Sequence, residues 1–403
     1  MSEITAVSYD SPEARLIIAC SQRGLPPEHD QKILDILRHK LDWGYILQNS
    51  FRNGVFPLVS DNLLRNFEQF LPQDVISNFQ ERLAGHVRNN MFLTSQLLEI
   101  VRLFNSESVP FMPFKGPLLA MTAYGNLALR QFVDLDVLIQ PQHLERSIKL
   151  LKTLDFAPID NLSWLNRTNR YMSRNKDIYL TNSDRSVNLE LHWKLSGSHF
   201  AMPIEVHRLW EQVETVNFAG VNVKSLSFND LFIYLSLHGT RHSWERFGWI
   251  CDINELLRSK QDIDWEIVSR EAKRLGCENI LELTLRLVYE FFGTETNIPR
   301  WEKIKKDKSL DPIVVEIQQR LFSSERVPVK IGDRYLYHLK LKERSWDKWK
   351  LHLHYLSWYL RIILVPNEID KNLVHLPPSL APLYYVTRPI RLLNQHLGRR
   401  REK

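Results

Sequence analysis

Apolar positions along the chain change their period twice. Over residues 12–100 they recur every three or four positions, the spacing of a helix face. Within residues 30–43, Ile33, Leu34, Ile36, Leu37 and Leu41 form one such stripe, preceded by Pro26-Pro27 and followed by the punctuating Asn53-Gly54. A longer periodic segment, residues 76–104, predicts one helix or two. From Ser108 the texture turns short, apolar and aromatic. Val109-Pro-Phe-Met-Pro-Phe114 reads as a strand whose prolines confine it to a sheet edge or a strand start. Lys115-Gly116 reads as a turn, Pro117 as the first position of a helix, and Gly125-Asn126 as the end of that helix after Tyr124.

Residues 132–139 then predict a strand and residues 144–154 an amphipathic helix. Residues 177–180 and 187–195 predict two more strands, joined by the turn-rich Thr181-Asn-Ser-Asp-Arg185. Helical period returns at Asn229, over residues 230–241, 249–257, 264–275 and 280–292. This order predicts an α+β protein, a small mixed sheet with helices flanked on both sides by helical regions. The expected division is an N-terminal helical region over residues 1–106, an α/β core over 107–226 and a C-terminal helical domain over 227–403. No repeat period and no low-complexity linker interrupts the chain, so the C-terminal helices are expected to pack against the α/β unit.

Composition adds constraints to this outline. The chain has 403 residues, 44% hydrophobic and 25% charged, enough for two or three packing units. Its net charge of +6 is uneven: residues 300–403 hold 22 Lys and Arg against 11 Asp and Glu. That basic third suits a solvated helical surface complementing the acidic remainder, or an anionic partner such as RNA, lipid headgroups or an acidic peptide. Cys20, Cys251 and Cys277 form no CxxC pair, which suits a reducing compartment and predicts a cytoplasmic protein. Met-Ser-Glu-Ile-Thr at the start lacks the pattern of a signal peptide. The most apolar stretch, residues 358–365, is interrupted by Arg361 and too short to span a bilayer, so no membrane insertion is expected.

The candidate chemistry lies in the predicted strands. Alternation along residues 132–139 puts Asp134 and Asp136 on one face, with Leu135 and Val137 turned into a core. Two carboxylates so placed repel each other unless a cation neutralises them, and Mg²⁺ is the usual ion where few carboxylates meet phosphates. The run Val187-Asn-Leu-Glu-Leu-His-Trp193 puts Glu190 and His192 on one face and Leu189, Leu191 and Trp193 on the other. If the two strands are neighbours, Glu190 completes a three-carboxylate cage able to hold two metal ions. Lys115 and Gly116, ahead of a helix N-terminus, suit a phosphate, and Arg130 is a second phosphate candidate. His238 and His242 share a helix face and are read as packing or nucleotide contacts rather than zinc ligands. Arg246 and Asp252 either line the same cleft or form an internal pair that fixes helices. Trp193, Trp244 and Trp249 are candidate base-stacking residues or core. His352 and His354 share no helix face and read as structural.

The motif Phe114-Lys-Gly116, the segment Arg130-x3-Asp134-x-Asp136-Val-Leu-Ile139 and the run Glu190-Leu-His-Trp193 together resemble an uncharacterised nucleotidyltransferase family of the DNA polymerase β superfamily. The likeness extends to Leu235-x2-His238-x3-His242-x-Trp244, to Trp249-x2-Asp252 and to the Leu41-Asp-Trp43 region. It continues in Pro366-Asn-Glu-Ile-Asp370, Leu376-Pro377 and Tyr384-x3-Arg388-Pro389. The resemblance implies a pol-β-like sheet, with Asp134, Asp136 and Glu190 as ligands of two Mg²⁺ ions. It also implies an NTP donor, ATP foremost, whose NMP group passes to an unidentified acceptor: a small molecule, peptide, protein or RNA. Glu190 or His192 would help deprotonate that acceptor, while Lys115, Gly116, Arg130, His238 and His242 would contact the nucleotide. Two features depart from the superfamily pattern: Lys115-Gly116 stands where Gly-Ser is usual, and Glu190 where Asp is common. Two other readings remain, a DxD glycosyltransferase using a sugar nucleotide and a nucleotide- or peptide-binding scaffold without turnover.

Overall fold

The computed structural model describes residues 9–159, 171–173, 175–196, 204–260, 262–323, 329–366 and 383–401, with Asp370 and Leu380. Five helices come first: α1 (Pro12–Ala19), α2 (Pro27–Leu37), α3 (Trp43–Arg52), α4 (Phe56–Asn66) and α5 (Gln73–Ser106). The apolar stripe of residues 30–43 divides between two of them. Asp42 accepts a hydrogen bond from the Tyr45 N–H at 2.9 Å, capping α3 and ending any continuation of α2. The segment around residues 76–104 is one helix of 34 residues.

The sheet has five strands in the order β1-β2-β5-β4-β3: β1 (Phe111–Pro113), β2 (Asp134–Ile139), β3 (Ala157–Pro158), β4 (Asp177–Thr181) and β5 (Asn188–His192). Pro113 lies in an edge strand, where a missing N–H costs no ladder bond. Between β1 and β2 come α6 (Gly116–Tyr124), closed by Gly125 at φ 66°, and after β2 comes α7 (Leu144–Leu151). The central pair, β2 and β5, is parallel, and Asp136 stands directly beside Glu190. β4 and β5 form the antiparallel pair, with Tyr179 beside Glu190 and Asp177 beside His192.

Period-two alternation sorts the side chains of this sheet between its faces. Leu135, Val137, Ile139, Ile178, Leu180, Leu189, Leu191 and Trp193 enter one core with Phe104 and Phe111 of the preceding helix and edge strand. Asp134, Asp136, Glu190 and His192 take the other face. A slip of one residue between β2 and β5 would turn the leucines outward and drive these polar groups into the core. With about 1.5–3 kcal/mol at stake for each buried aliphatic side chain, the register is strongly fixed.

A hairpin absent from the sequence reading, β6 (Glu214–Phe218) and β7 (Val221–Ser225), lies beside β1. Ala219 and Gly220 both have positive φ, 50° and 82°, the turn geometry that matches strand twist. The remaining helices of this part are α8 (Val206–Glu211), α9 (Phe228–Arg241), α10 (Phe247–Ser259), α11 (Trp265–Leu275), α12 (Glu278–Phe292), α13 (Trp301–Lys306), α14 (Asp311–Leu321) and α15 (Ile331–Leu341). They share a second core with the N-terminal helices, in which Phe56, Phe232, Trp244, Phe247 and Phe322 are fully enclosed. The Asn53-Gly54 turn has a packing role: Asn53 Oδ1 accepts from the Phe247 N–H at 3.2 Å and its carbonyl from the Gly248 N–H at 2.8 Å.

Residues 1–343 cluster as one compact unit and residues 344–403 as another. In the second, α16 (Ser345–Leu364) and α17 (Tyr384–Arg401) are its long helices, and Arg388 and Arg391 both pair with Asp370. Asp370 and Arg388 both belong to the C-terminal part of the resemblance, so this pairing joins two of its pieces. Residues 1–8, which include the start read for a signal peptide, lie outside the described residues, as do residues 367–369 and Leu376-Pro377. Cys20, Cys251 and Cys277 are buried, and none of them is in a disulfide. Among the described residues, no helix is long and apolar enough to cross a membrane.

Candidate active site

The polar face of the sheet opens on a cleft of about 390 Å³ between β2, β5, the start of α6 and the α9–α10 corner. Gly116 makes the tight passage from β1 into α6. Its φ is +51°, and a Cβ there would stand 3.1 Å from the carbonyl oxygen of Asp134. Only glycine lets this turn lie so close to β2. Lys115, at the N-cap of α6, is thereby carried over the carboxylates, and its Nζ lies 2.7 Å from Asp136 Oδ1.

Asp136 and Glu190 meet across the two parallel strands, and His192 lies one strand repeat further on. The His192 Nε2 is 3.2 Å from Asp136 Oδ1 and 3.1 Å from Glu190 Oε2. These three residues present ligand atoms within 4.8 Å of one another. Asp136 is 3% exposed, and among the described residues its second oxygen, Oδ2, has no hydrogen-bond partner. A buried carboxylate oxygen left unsatisfied beside a second carboxylate fits a divalent cation with oxygen ligands. Asp134 lines the same cleft but lies outside that close group.

The electrostatics divide the carboxylates. Burial alone would push Asp136 up, but the Lys115 ammonium and the His192 hydrogen bond overcome it and hold its carboxyl well below the usual range. Glu190 is likewise lowered, its burial outweighed chiefly by the His192 hydrogen bond. Asp134 is raised, by burial first and by its neighbour Asp136 second. Burial works against the charge on Lys115, yet Asp136 keeps its pKa raised. Lys176 is brought down to about 8 by burial and by the nearby Arg241.

The other residues singled out from the sequence fall in distinct places. Arg130 lines the cleft, but its guanidinium is engaged with Asp252, Nε at 2.8 Å from Oδ1 and Nη2 at 2.9 Å from Oδ2. The internal pair weighed for Asp252 therefore exists, with Arg130 rather than Arg246 as its partner. His192 is 1% exposed and lies beneath the carboxylates rather than among the cleft-lining side chains. His238, His242 and Trp249 line the cleft together, with ring centroids 4.8 Å apart for the two histidines and 5.1 and 5.3 Å from each to Trp249. Burial and the surrounding cations lower both histidines, His242 to about 3, so both are neutral at pH 7. Trp193 and Trp244 are fully buried and belong to the cores. Gly239 makes room for the Trp244 ring, which a Cβ would meet at 2.4 Å.

Lys176, Tyr179, Tyr234, Arg241 and Glu245 also line the cleft and were not singled out from the sequence. Tyr179 had a readable signal, since alternation along β4 puts it on the face of Asp177. Arg241 had one too, three positions from His238 on α9. Among the described residues, the lining holds Lys115, Arg130, Lys176, Arg241 and Arg246 against Asp134, Asp136, Glu190, Glu245 and Asp252, five charges of each sign. The cleft is thus balanced before any cation enters. A protein-family model described as an uncharacterised nucleotidyltransferase matches residues 39–293, more than half of the chain and all of this cleft. No curated protein and no solved structure matches.

Proposed function

The chain belongs to this uncharacterised nucleotidyltransferase family, and from that premise we propose that its cleft moves an NMP group from an NTP, ATP foremost, to an acceptor with release of pyrophosphate. The observation that carries the reading is the in-register Asp136–Glu190 pair, with Asp136 Oδ2 unsatisfied, beside a lysine at a helix N-terminus. Two Mg²⁺ ions held on Asp134, Asp136 and Glu190 would neutralise the triphosphate and lower the pKa of the attacking group. Because the lining is otherwise balanced, the positive charge that draws in a triphosphate comes with those ions. Lys115 then leaves Asp136 for the phosphates, and the first N–H groups of α6 face the same anion. Arg241 and Arg246 supply further cationic contacts from the opposite wall. Trp249 with His238 and His242 offers a neutral aromatic surface for the base. Glu190, the more accessible carboxylate of the pair, takes the acceptor's proton, and His192 holds it in position from below.

Lys115→Met tests this exchange by two changes of opposite sign. Without the ammonium, Asp136 has no competing cation, so Mg²⁺ affinity in the absence of nucleotide rises. Affinity for Mg²⁺–NTP falls roughly tenfold or more, the scale of one lost charge-assisted hydrogen bond of about 1.5–3 kcal/mol. Calorimetric titrations that move in the same direction would remove Lys115 from the phosphate site.

A second reading, a nucleotide-binding scaffold without turnover, is favoured by the Lys115–Asp136 pair, which neutralises the carboxylate with no ion at all. A thermal-shift screen of NTPs and of UDP- and GDP-sugars, each with and without Mg²⁺, tests the proposal. NTP at 100 times its Kd should stabilise the fold by about 2.7 kcal/mol, and only with Mg²⁺. Stabilisation by sugar nucleotides instead would point to glycosyl transfer, and no response to either would defeat both.

A further inference from the structure

The carboxylate corner contains a nitrogen donor that a site built only from oxygen ligands leaves unused. His192 Nε2 lies 3.2 and 3.1 Å from Asp136 Oδ1 and Glu190 Oε2. Neighbouring ligands around one six-coordinate ion, each bound at about 2.1 Å, stand roughly 3 Å apart along an octahedral edge. Both edges from His192 thus have the length one cation would set, and all three ligand atoms lie within 4.8 Å of one another; Lys115, 2.7 Å from Asp136 Oδ1, would yield that oxygen to the ion. Behind the ring, sheet register sets Asp177 directly beside His192, with Asp177 Oδ2 3.6 Å from His192 Nδ1, just outside hydrogen-bond reach and close enough to accept from Nδ1–H after a small turn of the ring. A carboxylate behind a metal-binding imidazole fixes its tautomer and raises its basicity.

Two unsatisfied atoms favour a cation here over a histidine that only bridges carboxylates. Among the described residues, Asp136 Oδ2 and His192 Nδ1 are both buried without a hydrogen-bond partner, so the pairs already formed leave donor and acceptor capacity unspent. The nearby cations are already engaged, Lys115 with Asp136 and Lys176 with Asp177, so a divalent ion would enter by exchange with Lys115.

The geometry points to a cation site of mixed donors, formed by Asp136, Glu190 and His192 Nε2 with Asp177 orienting the ring, and hence to a divalent transition ion such as Mn²⁺ in preference to Mg²⁺. Mg²⁺ favours all-oxygen shells and keeps its waters, whereas an imidazole among the ligands shifts preference toward first-row transition ions, of which Mn²⁺ shares most of the carboxylate chemistry of Mg²⁺. This deepens the proposed use of the cleft as a divalent-ion site, and it does not depend on turnover.

The test uses the full-length protein without nucleotide, loaded with Mn²⁺. Pulsed electron paramagnetic resonance of the wild type should show ¹⁴N modulation from a directly bound imidazole. Bound Mn²⁺ without nitrogen coupling, or no bound Mn²⁺, overturns the inference. In calorimetric titrations Asp177→Asn should weaken Mn²⁺ about 10- to 100-fold, and His192→Gln at least as much, with Mg²⁺ affinity staying within the same order of magnitude. Equal losses for both ions, or none, would also overturn it. The wild-type spectrum and Asp177→Asn keep the test decisive if His192→Gln fails to fold. Nitrogen coupling in a protein that binds no NTP would uphold the inference and sink nucleotidyl transfer. Pyrophosphate release by a protein showing no such coupling would do the reverse.

Discussion

Asp134→Asn should reduce Mg²⁺-dependent pyrophosphate release on the order of 10²–10³-fold, the scale of removing one preorganised electrostatic contact, without lowering the melting temperature. The two effects separate because Asp134 is held against its own electrostatic preference. Burial and then Asp136 raise its carboxyl above the ordinary value. A carboxyl raised on folding penalises the folded state once pH exceeds its unfolded pKa, so neutralising it removes a cost at pH 7. Asp136→Asn should also abolish release, but it removes the partner that keeps buried Lys115 charged. That variant should therefore lose stability as well. Labelled NTP incubated with a lysate supplying acceptors reads the activity, and thermal unfolding reads the stability. Unchanged release in Asp134→Asn would remove the residue from the catalytic group, and a large loss of melting temperature would contradict the repulsion argued for it.

Much of the sheet was legible because period-two alternation is local. Leu135 and Val137 could be assigned to the core and Asp134 and Asp136 to the opposite face before any partner strand was known. The turn at Lys115-Gly116 and the helix closed by Gly125 were readable from glycine and proline placement alone. What local pattern could not supply was pairing across long stretches of chain. Lys115 joins Asp136 and Arg130 joins Asp252 only because α6, β2 and α10 converge, so both cations read from sequence as available for phosphate. The same limit hid the burial of His192, whose strand position was clear but whose covering layer comes from Phe114 and Asp177. The β6–β7 hairpin was missed for a different reason. Its turn, Ala219-Gly220, lacks the usual Asn or Asp, although Gly220 between alternating runs was a usable cue.

Asp252→Ala should destabilise the 1–343 unit by about 3–5 kcal/mol, the range for removing one partner of a buried ion pair, more than any surface substitution. Asp252 is 3% exposed and accepts three hydrogen bonds: two from Arg130 and one, at 2.8 Å, from the Tyr124 hydroxyl. It thereby ties α10 to the end of α6 and to the segment leading into β2. Arg130 remains charged because Asp252 overcomes the burial acting against it, so alanine leaves a buried guanidinium with no carboxylate across from it. The penalty comes mainly from that stranded charge, not from the net worth of the pair. Replacing both partners, as in Arg130→Met with Asp252→Leu, should therefore restore most of the loss in denaturant unfolding. Activity should not return with stability in that double variant, because the same bonds hold Gly116 and the carboxylates in one frame: Arg130 Nη1 also reaches the Gly116 carbonyl at 3.4 Å. Additive losses from the two single substitutions would show that the pair contributes less to the fold than its geometry indicates.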